Sequence, residues 1–186
     1  MGIFNQFGGL GTGISGALGR LTGGVFAATA GISTTKPKGA VFKKTLEHGD
    51  FKTADVACTA NVWNEIGSYT VGAQQAATFG QGTLGMPSEQ VGRVFFDIED
   101  TSGNDYDGLV RFAIQNAQGT QEVVIMEERT EVLSENPTDM TKWKVLPEAN
   151  VWALEDSKLV IKFKPSSAST IDYGETTLHC PITIYQ

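Results

Sequence analysis

The chain has 186 residues, 40% of them hydrophobic and 19% charged, with 14 Lys and Arg against 21 Asp and Glu for a formal net charge of −7. Such a composition suits one globular domain with an extension, and it excludes a general nucleic-acid binder, whose phosphate contacts require clustered Lys and Arg. The charge is unevenly placed: residues 1–46 contain Arg20, Lys36, Lys38, Lys43 and Lys44 but no carboxylate, so the rest of the chain carries 9 cations against 21 acids.

The predicted N-terminal element is an arm, residues 1–39, holding 11 of the 22 glycines. Ile3, Phe7, Leu10, Ile14, Ala17 and Leu21 recur at spacings of four and three, which places them on one helical face, with Val25 continuing the apolar character. Gly11, Ser15, Gly19, Gly23 and Ala27 recur every four residues and form a small-residue ridge that lets another backbone approach closely. Each Gly costs a helix about 1 kcal/mol relative to Ala, so this helix needs a lipid or protein environment to form. Arg20 lies near the middle of the apolar stretch, and its insertion cost of about 2.5–3.5 kcal/mol argues against a simple membrane span. Met1–Ile3 has no basic cluster and no cleavage pattern follows, so the arm is expected to belong to the mature protein rather than to a secretory signal.

Lys36-Pro37-Lys38-Gly39 reads as a hinge, and beyond it the period changes to two, marking a body over residues 40–186. Strands are expected where Val56, Cys58 and Ala60, Val94, Phe96 and Ile98, Val110, Phe112 and Ile114, Leu159, Ile161 and Phe163, and Leu178, Cys180, Ile182 and Ile184 form inward-facing sets. Further strands are expected at Ser68–Ala73, Glu122–Glu128, Trp143–Leu146 and Asn150–Leu154, and a single helical turn at Ser134–Met140. About eight strands with turns between them point to an all-β sandwich or barrel.

Chemistry-bearing patterns are sparse. Gly11-Thr12-Gly13-Ile14-Ser15-Gly16 has the letters of a dinucleotide loop, but no strand can precede it and no acid follows before Glu47, so no cofactor is expected. Asp100, Asp105 and Asp107 would be the ligands if the acidic segment Asp97–Asp107 bound calcium; a solvated hairpin tip is the simpler reading, and no metal is expected. His48 and His179 are the only imidazoles, and no nucleophile elbow or zinc helix accompanies them, so no catalytic residue is assigned and the chain is not expected to be an enzyme. Cys58 and Cys180 read as buried thiols ahead of a disulfide. Trp63, Trp143, Trp152, Tyr69, Tyr106 and Tyr173 could form a sugar-binding platform or fill a core.

An acidic β-sandwich without a catalytic set, bearing a glycine-rich arm, resembles the single jelly-roll capsid proteins of tailless icosahedral viruses with an internal membrane, which infect archaea and bacteria. Val71–Gln75, Gly92–Phe96, Asn116–Thr120, Glu127–Thr130 and the final strand Pro181–Gln186 carry the resemblance. It implies an eight-stranded antiparallel jelly-roll sandwich that assembles with copies of itself, or with a second capsid protein, into a virion shell over lipid. In that setting Ile3, Phe7, Leu10, Ile14, Leu21 and Val25 would supply apolar contact to membrane or subunit, Gly11, Gly19 and Gly23 close approach, and Arg20 a contact to anionic headgroups. The other function classes left open are a carbohydrate-binding sandwich and a pilus or surface-layer subunit.

Overall fold

The computed structural model describes residues 31–52, 54–80, 93–104, 106–133, 144–147 and 150–186. The part of the arm expected to be helical, with Ile3 through Val25, lies outside the described residues, as do the expected turn at Ser134–Met140 and Asp105.

In chain order the described elements are β1 (Ile32–Ser33), β2 (Val41–Glu47), α1 (His48–Phe51), β3 (Val56–Cys58), β4 (Asn64–Thr70), β5 (Ala76–Phe79), β6 (Arg93–Asp97) and β7 (Gly108–Gln115). They continue with β8 (Glu122–Arg129), α2 (Thr130–Leu133), β9 (Lys144–Val145), β10 (Trp152–Leu154), β11 (Lys158–Pro165), β12 (Ser169–Ile171) and β13 (Thr177–Tyr185). A seven-stranded sheet runs β1-β10-β5-β13-β6-β9 with β2 added on β13, and a four-stranded sheet runs β4-β11-β7-β8.

β13 organises the first sheet. One edge pairs with β2 from His179 to Tyr185, and the other pairs with β6 through Thr177–His179 and with β5 through Ile182–Tyr185. β5 and β6 are therefore collinear pieces of one strand, interrupted between Gly80 and Arg93. β9 and β10 pair with β6 and β5 and form the neighbouring strand, also interrupted. With each broken strand counted once and the short β1, β3 and β12 set aside, eight strands remain: the first, eighth, third and sixth form one sheet, and the second, seventh, fourth and fifth the other. The fold is an antiparallel jelly roll.

The break explains a proline in a central strand. Pro181 cannot donate to a ladder, and strand interiors normally exclude it. Its carbonyl accepts from the Gly80 N–H at 2.7 Å, so its missing donor points to the gap where β5 stops and β6 has not begun. Gly80 has φ +100 there, a conformation that a side chain would strain.

The core lies between the sheets. Val110, Phe112 and Ile114 on β7 and Leu159, Ile161 and Phe163 on β11 meet Val94, Phe96, Leu178, Cys180 and Ile182 from the facing sheet. Phe79 packs edge-on to Phe112 across the interface at 5.7 Å between ring centroids. Burial of this kind stabilises by about 1.5–3 kcal/mol for each large side chain and dominates the fold. Cys58 and Cys180 are separate, buried free thiols.

The two ends of the sandwich differ. At one end three short turns, residues 71–75, 116–121 and 155–157, join strands; in the middle one, Asn116 accepts from the Thr120 and Gln121 amides through Oδ1. At the other end the connections are long and carry α1, β3, β12 and α2. The segment from Ile98 to Asp107 belongs to this end and corrects the hairpin reading: it links β6 in one sheet to β7 in the other, with Ile98 and Tyr106 buried beneath it.

Candidate functional site

With no catalytic constellation expected from the sequence, the chemistry of the surface and of the two ends defines the candidate site. At the short-turn end Gly31 enters the body, and its carbonyl accepts from the Leu154 N–H at 2.7 Å. It has φ +56, and a Cβ there would sit 2.0 Å from Ser157 Oγ. Ile32 and Ser33 then pair with Ala153 and Trp152 as an edge strand. Residues 34–40 carry the chain to β2 at the opposite edge, about 19 Å away across four inter-strand spacings and less than the roughly 27 Å that eight extended steps would span, so the crossing keeps slack, with Ser33 Oγ accepting from the Thr35 N–H at 3.0 Å. Ala40 exchanges two hydrogen bonds with Gln186, which places the C-terminus at the same end. The expected hinge, Lys36 to Gly39, lies within this crossing.

The long-connection end is tied together by its backbone. β3 pairs with β12, Thr101 donates to Thr170, and Asp172 donates to Glu99. Tyr106 closes the underside, donating its hydroxyl to the Ser167 carbonyl at 2.6 Å while its ring packs against Phe163. Asp50, Asp55, Glu99, Asp100, Asp172 and Glu175 ring this end, and Lys52 is the one cation in the described parts of the same connections. At the short-turn end Lys36 and Lys38 accompany Glu155 and Asp156. The molecule is thus electrostatically polar along the strand axis.

Of the calcium candidates, Asp105 lies outside the described residues, and Asp100 and Asp107 have different surroundings. Asp100 Oδ1 accepts from the Ser102 and Asn104 amides, and the Asn104 amide leads the effects that hold its carboxyl below the usual range. Asp107 instead borders a shallow recess of about 350 Å³ with Arg129, Glu131 and Lys164, where the two signs balance around Leu109. Among the described residues no group of three or more His, Cys, Asp and Glu could hold a metal ion.

The outer face of the four-stranded sheet carries an ion cluster that the sequence did not reveal. Arg111 stacks its guanidinium 3.9 Å over the Trp63 ring, donates to Glu127 Oε2 at 2.9 Å and reaches Glu122 Oε1 at 3.1 Å. Lys162 donates to the other Glu122 oxygen. These bonds bridge the row of Ala113 and Val160, outward-facing residues that are fully buried. Burial would raise the Glu122 carboxyl, but Lys162 and Arg111 outweigh it and hold the group below the usual carboxylate range.

No protein-family model and no curated protein sequence matches the chain. Among solved structures it is similar to VP17, a capsid protein of bacteriophage P23-77, with a TM-score of 0.48 and 9% identity over 78% of this chain and 96% of that one. The complex of the two major capsid proteins of the same phage, VP16 and VP17, matches with the same TM-score and identity, covering 78% of this chain and 99% of that one.

Among the described residues, the aromatic side chains considered for a platform or a core are dispersed. Trp63 lies under Arg111, Trp152 is buried on the other sheet, Tyr106 is beneath the long connections, and Tyr69 faces Lys44 at 5.8 Å. Trp143 lies outside the described residues. His179 is largely buried and meets Glu47 Oε1 at 3.2 Å; burial lowers its pKa, with Glu47 acting in the opposite direction. Among the described residues no helix is long and apolar enough to cross a membrane.

Proposed function

We propose that this chain is a structural subunit of a virion shell, a jelly-roll capsid protein whose arm docks to membrane lipid or to neighbouring subunits. The observation that carries this reading is the polarity of the sandwich. The arm enters at the short-turn end beside the C-terminus, while the acidic connections occupy the far end.

A subunit so built is oriented by its own charge. Anionic headgroups repel the carboxylate-ringed end and attract Arg20, Lys36 and Lys38, each basic residue contributing about 1 kcal/mol close to an anionic surface. The apolar stripe Ile3, Phe7, Leu10, Ile14, Leu21 and Val25 then supplies the contact, and Gly11, Gly19 and Gly23 permit close backbone approach. The partners are copies of this chain and a second capsid protein, and the location is the virion.

Negative-stain electron microscopy of the full-length protein, alone and mixed with anionic vesicles, tests the reading. Closed shells or shell fragments are expected, together with flotation that is lost when residues 2–35 are deleted. Tubes or flat sheets would favour a pilus or surface-layer subunit. Flotation that survives the deletion would remove the docking role of the arm.

A further inference from the structure

The seven-stranded sheet buries its outer face as well as its inner one. Ala77, Ala153 and Ile184 point into the main core, whereas Ala76, Trp152 and Tyr185 form a separate apolar cluster on the opposite side, bordered by Leu154. These outward residues are deeply covered: Ala76 and Trp152 are each 5% exposed, Tyr185 9% and Thr183 2%. Phe95, further along the same face, is 1% exposed. Among the described residues the helix contacts to this sheet fall at its long-connection end, where α2 meets β6 and α1 meets β2 and β13. Trp152 Nε1 and Thr78 Oγ1 are buried there without a hydrogen-bond partner among the described residues, so whatever covers them brings polar atoms as well as apolar surface.

We propose that the occupant is the N-terminal arm of the same chain, residues 1–30, seated along the outer face of the seven-stranded sheet. The arm ends where the seat begins, because Gly31 is hydrogen-bonded to Leu154 on the seat's border. From the row of Tyr185 to the row of His179 the seat is about 20 Å long, a length matched by roughly 13 helical residues. The arm supplies six large apolar side chains at helical spacing and a ridge of small residues suited to lying against a flat sheet. Residues 81–92, which join β5 to β6, offer Leu84, Met86 and Val91 in a stretch broken by Pro87, and residues 134–143, which lead to β9, offer Met140 and Trp143. The assignment concerns the free subunit and does not depend on what that subunit assembles into.

The test uses the full-length chain carrying Trp63→Phe and Trp143→Phe, which leaves Trp152 as the sole tryptophan. Trp152 should emit as a shielded indole and resist acrylamide. Deleting residues 2–30 should shift its emission to the red and raise its quenching severalfold while the β-sheet circular dichroism persists. Should the deletion fail to fold, a benzophenone attached at Leu21→Cys of the full chain gives the answer. Its photo-crosslinks should fall on peptides containing Trp152, Tyr185 or Phe95, and mixing isotopically heavy and light chains should give only same-chain products. Trp152 still shielded after the deletion, crosslinks mapping elsewhere, or heavy–light products would each overturn the proposal, the first in favour of residues 81–92 or 134–143 and the last in favour of a neighbouring copy.

Discussion

The two sheets meet at one core but finish their outer faces by different physics. The four-stranded sheet covers the small side chains Ala113 and Val160 with a charged cluster of Arg111, Glu122, Glu127 and Lys162, whose members keep their head groups at the water surface. The seven-stranded sheet instead buries aromatic and aliphatic groups on its outside, and two of its polar atoms find no partner among the described residues. The first arrangement is complete within a single sheet face. The second requires additional chain, and this difference separates a surface that can stand alone in water from one that cannot.

Substitutions can break this comparison, and the largest effect should come from Trp152→Ala. A tryptophan on an ordinary sheet exterior would cost little, but this one should cost about 3–5 kcal/mol, as a core residue does, read as a loss of denaturation midpoint at unchanged slope. A cost below about 1 kcal/mol would mean that the outer face is not a packed layer. Gly31→Ala comes next, at about 1–3 kcal/mol by thermal melting, because φ +56 and the overlap with Ser157 both oppose a side chain at the point where the arm joins this sheet. Glu122→Ala should cost about 1–2 kcal/mol, since Arg111 and Lys162, 22% and 17% exposed, lose a shared partner in a partly screened setting. Val124→Ala, on the exposed outside of the four-stranded sheet, should lie within about 0.5 kcal/mol of the parent.

Acid sharpens the same contrast. The Glu122 carboxyl is held below its ordinary value, so its contribution is fully present above the unfolded-state value of about 4.3 and is lost as pH falls through the lower folded-state value. Melting temperature should therefore drop more steeply below about pH 4.3 in the parent than in Glu122→Gln, and parallel acid profiles for the two would show that the cluster is not ionised as a unit.

Much of the fold was legible because the inner faces of β7, β11 and β13 alternate cleanly. Other parts were not. β2 was missed because its inward-facing set, Phe42, Lys44 and Leu46, includes a lysine that escapes the core at the sheet edge and pairs with Asp50. β5 reads Ala-Ala-Thr-Phe, too short and too small for a pattern, and β1 and β12 contribute only two and three residues. The segment Ser68–Ala73 was placed late; the strand begins at Asn64, where the side chain holds the Thr59 and Val62 carbonyls and marks the entry. Phe95, Thr183 and Tyr185 occupy positions that alternation assigns to water, yet they are buried, because periodicity cannot distinguish a solvated face from a second covered one. The ion cluster was invisible for a related reason: Arg111, Glu122 and Lys162 come from three strands, and only register brings them together.

The junction of the arm with the body also sets how the protein responds to load. β1 and β2 both run away from the short-turn end, so tension applied through an anchored arm pulls each along its own axis. Once the two residues of β1 slide free, residues 34–40 straighten and the force reaches the ladder between β2 and β13, paired from Val41–Tyr185 to Glu47–His179. Its hydrogen bonds lie across that pull and are strained together rather than opened one after another. A subunit tethered by its N-terminus is therefore held in shear, the geometry in which a short ladder resists most.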